Sequence, residues 1–324
     1  MSFRGANVLT LQGVTREAIL DVLDTAESFV EVNQRTVKKV PALKGRVVAS
    51  LFFEESTRTR LSFETAAKRL GADVVSLAVA SSSVKKGESL RDTITTIDAL
   101  GLDAVVLRHR SSGAALQVSR YVPHVRVINA GDGQHQHPTQ GLLDVFTVRQ
   151  LLAERRGVLP SETGSQLFEG LKVLIVGDIR HSRVARSDIA AYHALGAEVR
   201  VAAPGTLLPN SLEGWPVTVA PDFEEALAWA DVVALLRLQQ ERGSGSYVPS
   251  LGEFTNTFGL TSRRVGLLRP DTIVMHPGPM NRGVEIDSDV ADLPQSVISR
   301  QVANGVPVRM AVLYLSVAEK KEWS

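Results

Sequence analysis

Two guanidinium groups, Arg58 and Arg60, and three hydroxyls, Ser56, Thr57 and Thr59, fall within five residues, after the apolar run Val47 to Phe53 and at the start of a helical pattern. Such a grouping suits an oxyanion. Amides left unpaired at a helix N-terminus, the positive end of its dipole, join hydroxyls and a guanidinium fork on phosphate-type oxygens. Cationic side chains in a first turn oppose the helix dipole, and a bound anion offsets that cost. Taken alone, the same residues also describe a capped helix with solvated arginines. Further candidates sit in equivalent places, at the end of a short β-branched run or in the loop after it. Arg108 follows Ala104 to Leu107, with His109 beside it and given no role. His137-Pro138-Thr139-Gln140 comes after Asn129-Ala130-Gly131-Asp132-Gly133, Arg183 lies in the turn after Lys172 to Val176, and Arg237 follows Val232 to Leu236. After Thr272 to Met275 comes His276-Pro277-Gly278-Pro279, whose prolines lack an amide hydrogen, so a stiff backbone presents carbonyls. The polar run Ser81 to Glu88 is hinged by Gly87, and a lysine on such a loop can carry a point charge to phosphate or carboxylate on closure.

Other chemistries are disfavoured. With 0 cysteines there is no thiolate nucleophile, disulfide or Cys-ligated zinc. His135, His137 and Asp132 have the spacing of a partial zinc site, but no second ligand cluster is evident and a strand-to-helix loop explains the glycine and proline, so no metal is expected. Gly177 stands alone where a dinucleotide enzyme carries G-x-G-x-x-G, which argues against nicotinamide or flavin. No cofactor is expected. Lys plus Arg number 36 against 35 Asp plus Glu, a net +1, so neither nucleic acid nor an anionic membrane is an expected partner. The first eleven residues show no apolar signal core and no run reaches spanning length, so the expectation is a soluble, cytoplasmic chain.

What must position these residues is a pair of sheets. A length of 324 residues predicts two domains, and 44% hydrophobic with only 5% aromatic residues predicts aliphatic cores of the kind that parallel strands make under helices. Strands are expected at Val47–Phe53, Asp73–Ala78, Ala104–Leu107 and Val125–Ile128, with helices from Thr15 to Val30, Arg58 to Leu70 and Ser89 to Leu100. Gly157 to Gly170, rich in small and polar residues, reads as a linker. A second alternation follows: strands at Lys172–Val176, Glu198–Ala202, Val232–Leu236 and Thr272–Met275, helices at Arg183–Leu195 and Asp222–Ala230, and a terminal helix at Val308–Lys320. The fold class expected is α/β, two doubly wound parallel-sheet domains with the active site in the cleft between them. The domains are 1–150, onto which a C-terminal helix at 300–324 packs back, and 151–299.

Ser56-Thr57-Arg58-Thr59-Arg60 continues as Leu61-Ser62-Phe63-Glu64, and with the His137 and His276 motifs in order it resembles the aspartate and ornithine carbamoyltransferase family over nearly the whole chain. The resemblance implies that 1–150 binds carbamoyl phosphate and 151–299 binds the amino acid. It implies that Ser56, Thr57, Arg58 and Thr59 hold the phosphate, that Arg108 bridges phosphate and carbonyl oxygens, and that His137 donates to the carbamoyl oxygen. Gln140 would hold the carbamoyl amide nitrogen, with the carbonyls of Gly278 and Pro279 accepting from it. Arg183 and Arg237, assisted by Gln239, would hold the carboxylates, while Arg180 and Arg186 would be surface residues. Lys86, with Ser82 or Ser83, would reach into a neighbouring subunit's site. Arg58, Thr59, Arg108 and His137 form the expected catalytic set, stabilising a tetrahedral oxyanion without a covalent intermediate.

Within the family, Arg183, Arg237 and Lys86 suit a dicarboxylate and would repel an ornithine ammonium by about 1 kcal/mol or more per close pair. The cysteine-bearing motif of ornithine enzymes is also replaced by His276-Pro277-Gly278-Pro279. The expected reaction is carbamoyl phosphate plus L-aspartate giving N-carbamoyl-L-aspartate and phosphate, a step toward pyrimidines. Shared sites imply a homotrimer, and a larger assembly with regulatory or dihydroorotase-like chains stays open. The alternatives are ornithine carbamoyl transfer, a catalytically silent binding subunit, and a generic sugar-phosphate binding protein.

Overall fold

Short β-branched runs form parallel strands here because both faces of each sheet are covered, which removes the need for polar alternation. The computed structural model describes residues 2–78, 88–238 and 247–318. The chain divides into two units, Met1–Phe146 with Asn304–Ser324, and Thr147–Ala303. Unit 1 contains α1 (Arg16–Gln34), β1 (Val47–Phe52), α2 (Thr57–Arg69), β2 (Asp73–Ala78), α3 (Leu90–Asp98), β3 (Ala104–His109), α4 (Ala114–Tyr121), β4 (Arg126–Asp132) and the first half of α5 (Pro138–Arg156). Unit 2 contains β5 (Lys172–Val176), α6 (Arg183–Leu195), β6 (Glu198–Ala202), β7 (Thr218–Val219), α7 (Phe223–Trp229), β8 (Val232–Leu235), α8 (Leu251–Phe258), α9 (Ser262–Val265), β9 (Ile273–Met275) and α10 (Ser288–Ala291). The last helix, α11 (Ile298–Val317), begins in unit 2 and ends in unit 1.

Both sheets are parallel, ordered β2-β1-β3-β4 and β7-β6-β5-β8-β9. The order decides where a ligand can sit. In sheet 1 the winding reverses between β1 and β3, and in sheet 2 between β5 and β8. At such switch points the connecting helices leave to opposite faces and open a crevice beyond the strands' carboxyl ends. The turns after β1 and β5 therefore enter the crevice of their own sheet, beside the ends of β3 and β8.

α2 illustrates why these segments are helical. Phe63, Ala66 and Ala67 lie three and four residues apart and are buried, while Lys68 and Arg69 close the last turn, where cations suit the dipole. Gly71, at φ +82, stops it. Truncating Phe63, 1% exposed, to alanine would cost about 3–5 kcal/mol of packing.

The structure extends several expected elements. β4 runs to Asp132 rather than ending at Ile128, because the Asn129 side chain replaces ordinary loop contacts, bonding the Leu9 carbonyl, Asp132 and the Gly131 amide. α11 starts ten residues before Val308 and carries Pro307 inside it. Helices α4, α8, α9 and α10 and the two-residue β7 have no counterpart in the sequence reading, which gives the helix entered after His137 no bounds. α5 is buried along residues 138–150, so it shows no polar face from which periodicity could be read. Among the described residues, no helix is long and apolar enough to cross a membrane.

Candidate active site

At the switch point of sheet 1, β1 and β3 are in register at Phe52 and Arg108, and the Phe53 amide donates to the Arg108 carbonyl at 2.9 Å. This fixes the arginine beside the turn Glu54–Ser56 that opens α2. Ser56 occupies the N-cap position, yet its hydroxyl accepts no hydrogen bond from the helix. Thr15, Ser89, Ser182, Asp222 and Ser250 each use a side-chain oxygen to cap their own helices. The first turn of α2 carries no acidic residue; Thr59 is buried, while Thr57 and Arg58 are exposed. Amides, hydroxyls and guanidinium therefore meet at one positive helix end.

Arg108 is 12% exposed at its side chain. Its Nη2 lies 3.3 Å from Glu54 Oε1, and its Nη1 donates to the Ala130 carbonyl at 3.3 Å. Beside it, the His109 ring packs on Phe53 at 5.1 Å and its Nδ1 accepts from the Ser111 amide. Burial foremost, with Arg110 second, holds the His109 pKa below the ordinary imidazole range. These contacts brace the end of β3 and give His109 a packing role.

The next turn brings His137 to the head of α5. Pro138 opens the helix, where a missing amide hydrogen costs nothing, and the Gln140 and Gly141 amides donate back to the His137 carbonyl. His137 and Gln140 are buried. Upstream, Asp132 accepts from the Gly113 amide at 2.7 Å, from Asn129 Nδ2 at 2.8 Å and from the Gln136 amide at 3.2 Å, and His135 Nδ1 contacts it at 3.1 Å. Asp132 is a turn staple. Among the described residues, no three histidine, aspartate or glutamate side chains form a group able to hold a metal.

Sheet 2 repeats the arrangement with different groups. Val176 pairs with Leu235, and the Leu236 amide donates to the Val176 carbonyl at 2.8 Å, so the turns carrying Arg183 and Arg237 leave adjacent strand ends. Gly177 is required there: its φ is +122, and a Cβ would lie 2.7 Å from the Leu236 carbonyl oxygen. Arg183 is the first residue of α6 and is buried. The turn before it is held by the buried pair Asp178 and His181, whose amide and Nδ1 lie 3.1 and 2.8 Å from Asp178 Oδ1. The Tyr247 ring packs against the His181 ring at 4.7 Å. Arg186 is half-buried rather than a free surface residue, which departs from expectation. Its guanidinium lies 4.8 Å from the Trp215 ring centre, its Nη2 donates to the Arg180 carbonyl, and burial lowers its pKa.

The segment after β9 is held from beneath. The Gly278 amide donates to His276 Nδ1 at 2.8 Å, so the His276 proton resides on Nε2, 3.2 Å from Glu285 Oε1. The same oxygen accepts from the Asn281 amide at 2.8 Å. His276 and Glu285 are buried, and Gly278 adopts φ +65 before a cis bond to Pro279. The positive φ suits glycine at this position. Of the expected site residues, Ser82, Ser83, Lys86 and Gln239 lie outside the described residues. The structure brings Ser56, Thr57, Arg58, Thr59 and Arg108 to the end of sheet 1, with His137 and Gln140 opening α5, and puts Arg183 and Arg237 at the end of sheet 2 with Gly278 and Pro279 after β9. The sequence reading missed Glu54, Asp178, His181, Tyr247 and Glu285, which hold these groups. A local signal existed for Glu54, Asp178 and His181, which stand close in sequence to Arg58 or Arg183, whereas Tyr247 and Glu285 lie farther along the chain from any candidate.

Comparison with known proteins gives the same picture across the chain. The family model described as the aspartate/ornithine carbamoyltransferase carbamoyl-P binding domain matches residues 6–150, and that of the Asp/Orn binding domain matches residues 169–316. An aspartate carbamoyltransferase catalytic subunit from Micrococcus luteus is 52% identical, covering 98% of each chain. A solved aspartate transcarbamoylase from Trypanosoma cruzi, in complex with carbamoyl phosphate and aspartate, superposes with a TM-score of 0.83 at 29% identity over 98% of each chain. An ornithine carbamoyltransferase from Pyrococcus furiosus gives 0.82 at 29% identity, over 99% of this chain and 100% of that one. With both domain models matched in order and a relative at this identity over nearly its full length, the chain belongs to the aspartate/ornithine carbamoyltransferase family.

Proposed function

We propose that the chain transfers the carbamoyl group of carbamoyl phosphate to the amine of L-aspartate, releasing N-carbamoyl-L-aspartate and phosphate. The 52% identity to a named aspartate carbamoyltransferase carries the choice of amino acid. Backbone likeness does not separate the two branches, since aspartate and ornithine enzymes superpose at 0.83 and 0.82. The charge of the turns after β5 and β8 supports the same choice: Arg183 is a buried cation, and Arg237 follows the adjacent strand. A dicarboxylate compensates such groups; an ornithine ammonium does not.

In this reading the phosphate rests on Ser56, Thr57, Arg58 and Thr59 at the start of α2, and Arg108 spans phosphate and carbonyl oxygens. Attack by the amine nitrogen on the carbamoyl carbon forms the C–N bond and places negative charge on the carbamoyl oxygen. Arg108, Thr59 and His137 donate to that oxygen, in the manner of an oxyanion hole. The C–O bond to phosphate then breaks, the electron pair leaves with phosphate, and the amine's proton passes to the departing phosphate. Gln140 and the carbonyls of Gly278 and Pro279 hold the carbamoyl amide. Units 1 and 2 thus serve carbamoyl phosphate and aspartate respectively. No cofactor takes part in this scheme.

A coupled assay offering each amino acid separately tests the choice: turnover is expected with aspartate, and turnover with ornithine alone would reverse it. Arg183→Gln should raise the aspartate KM by about 10²-fold, the loss of a charge-assisted contact worth about 1.5–3 kcal/mol. Carbamoyl phosphate affinity should stay within about twofold.

The active form in this reading is a homotrimer in which Lys86, with Ser82 or Ser83, enters the neighbour's site; the setting is the cytoplasm and the product feeds pyrimidine synthesis. Mixing a Lys86→Ala variant with one inactivated at Arg58 should restore activity in hybrid trimers. Restored activity supports shared sites, and none means each chain is self-sufficient.

A further inference from the structure

A fully buried arginine in the middle of an apolar run, Arg309 of α11, is not used by the reaction above. Its Nη1 donates to Ser62 Oγ at 2.7 Å, and its guanidinium lies 5.1 Å from the Phe63 ring centre, both residues belonging to α2. Its electrostatic partner is Asp144 of α5, buried as well. Desolvation pushes the Arg309 pKa down to about 10, and Asp144 acts against that fall, so the guanidinium stays charged at neutral pH. Asp144 Oδ1 in turn accepts from Gln140 Nε2 at 3.0 Å, one helical turn back along α5. The helix has been shaped to admit this cation. Gly305 sits inside α11, where glycine costs about 1 kcal/mol relative to alanine, and a Cβ there would lie 2.5 Å from Arg309 Nη1 and 3.4 Å from Ser62 Oγ.

The arrangement ties together the two helices whose first turns face the proposed carbamoyl phosphate. It also has a direction. With Nε2 turned toward a carboxylate, the acceptor Oε1 of Gln140 lies on the opposite edge of the amide plane. A carbamoyl NH2 group is a donor only, and Oε1 is the end of the amide that complements it. An amide free to flip would present its own donors half the time, donor against donor. As a carboxylate, with acceptors only, Asp144 removes that ambiguity, and a nearby cation favours the carboxylate form.

We propose that Asp144 is a positioning residue that fixes the Gln140 amide with its oxygen toward the carbamoyl nitrogen. The proposal deepens the carbamoyl phosphate reading of the site and rests on it. Arg309, anchored by Ser62 and given room by Gly305, also sets α5 against α2.

Two stable phosphonates separate this role from a merely structural one. Phosphonoacetamide carries the amide; methylphosphonate keeps the anionic end and lacks it. Calorimetric titration of the full chain with each should show tighter binding of phosphonoacetamide to the wild type. In Asp144→Asn, whose side-chain NH2 can donate to Gln140 and turn the amide round, phosphonoacetamide should lose about tenfold in affinity, the order of one buried hydrogen bond. Methylphosphonate should change by less than about twofold, since the start of α2 is untouched. Should the unpaired Arg309 prevent folding, Asp144→Asn with Arg309→Met removes both charges at similar volume, and the same selective loss is expected. In a Gln140→Ala background, Asp144→Asn should make no further difference. Equal losses for both phosphonates, or losses that add in the double variant, would overturn the positioning role. A wild type that does not prefer phosphonoacetamide would instead overturn the carbamoyl phosphate reading itself.

Discussion

Arg108→Met is expected to lower kcat for carbamoyl transfer by about 10²–10³, the cost of removing one donor to a developing oxyanion. The argument starts from position. Arg108 ends β3 in register with Phe52 of β1, so its guanidinium stands beside the turn that opens α2. A guanidinium fork can span two oxygens at once, and in the proposed reaction charge moves from one of those oxygens to the other. Methionine keeps most of the stem volume and none of the donors. It also releases Glu54, whose Oε1 is 3.3 Å from Nη2, so some loss of stability accompanies the loss of rate. Arg108→Lys distinguishes the two effects: it keeps the charge beside Glu54 but not the fork. The lysine variant should therefore melt near the wild type while recovering only part of the rate. Steady-state formation of carbamoyl aspartate, with melting curves on all three proteins, measures this. If the methionine variant keeps kcat within tenfold, the oxyanion is not stabilised from β3.

Much of this placement was legible because buried parallel strands are the simplest pattern a sequence offers. Val47–Phe52, Ala104–His109, Lys172–Val176 and Val232–Leu235 are short β-branched runs, and candidates stand at or just beyond their carboxyl ends: Ser56 to Thr59 after the first, Arg108 near the end of the second, Arg183 after the third and Arg237 after the fourth. Strand order was not legible. That the two switch points fall between β1 and β3 and between β5 and β8 depends on pairings between segments dozens of residues apart, which no local pattern encodes. The extent of α5 was not legible for the opposite reason, since it is buried along its first thirteen residues and its sequence shows no polar stripe. Gly305 and Pro307, both ordinary signals for a helix end, put the periodic reading of α11 at Val308, whereas the domain reading at 300–324 lies close to its observed start at Ile298. The supporting network around the site escaped notice because its members are single polar residues on apolar elements. Arg309, in Val308-Arg309-Met310-Ala311-Val312, reads as a helix residue with a solvated charge until α2 and α5 are placed around it.

Gly177→Ala should raise the aspartate KM by about 10²-fold while leaving phosphonate binding in unit 1 within about twofold, because the glycine governs only the half of the site built on sheet 2. Residue 177 pays twice for a side chain. Its φ of +122 lies where residues with a Cβ cost about 1–3 kcal/mol, and that Cβ would stand 2.7 Å from the Leu236 carbonyl oxygen, a backbone atom that cannot swing aside. The turn must move away from β8. What moves with it is the Asp178–His181 pair, and with that pair the first turn of α6 and the buried Arg183; the atom it presses against belongs to the residue preceding Arg237. The two arginines proposed to hold the aspartate carboxylates thus separate by a fraction of an ångström or more, enough to forfeit a bidentate grip. Gly170→Ala is the control, since that glycine has φ +70 and nothing within 4 Å of the added Cβ. It bears the backbone cost without displacing a neighbour, so its melting temperature should fall while its aspartate KM stays near the wild-type value. Parallel increases in KM for both variants would mean that unit 2 responds to general loosening, and that the close approach of Gly177 to Leu236 does not set the spacing of Arg183 and Arg237.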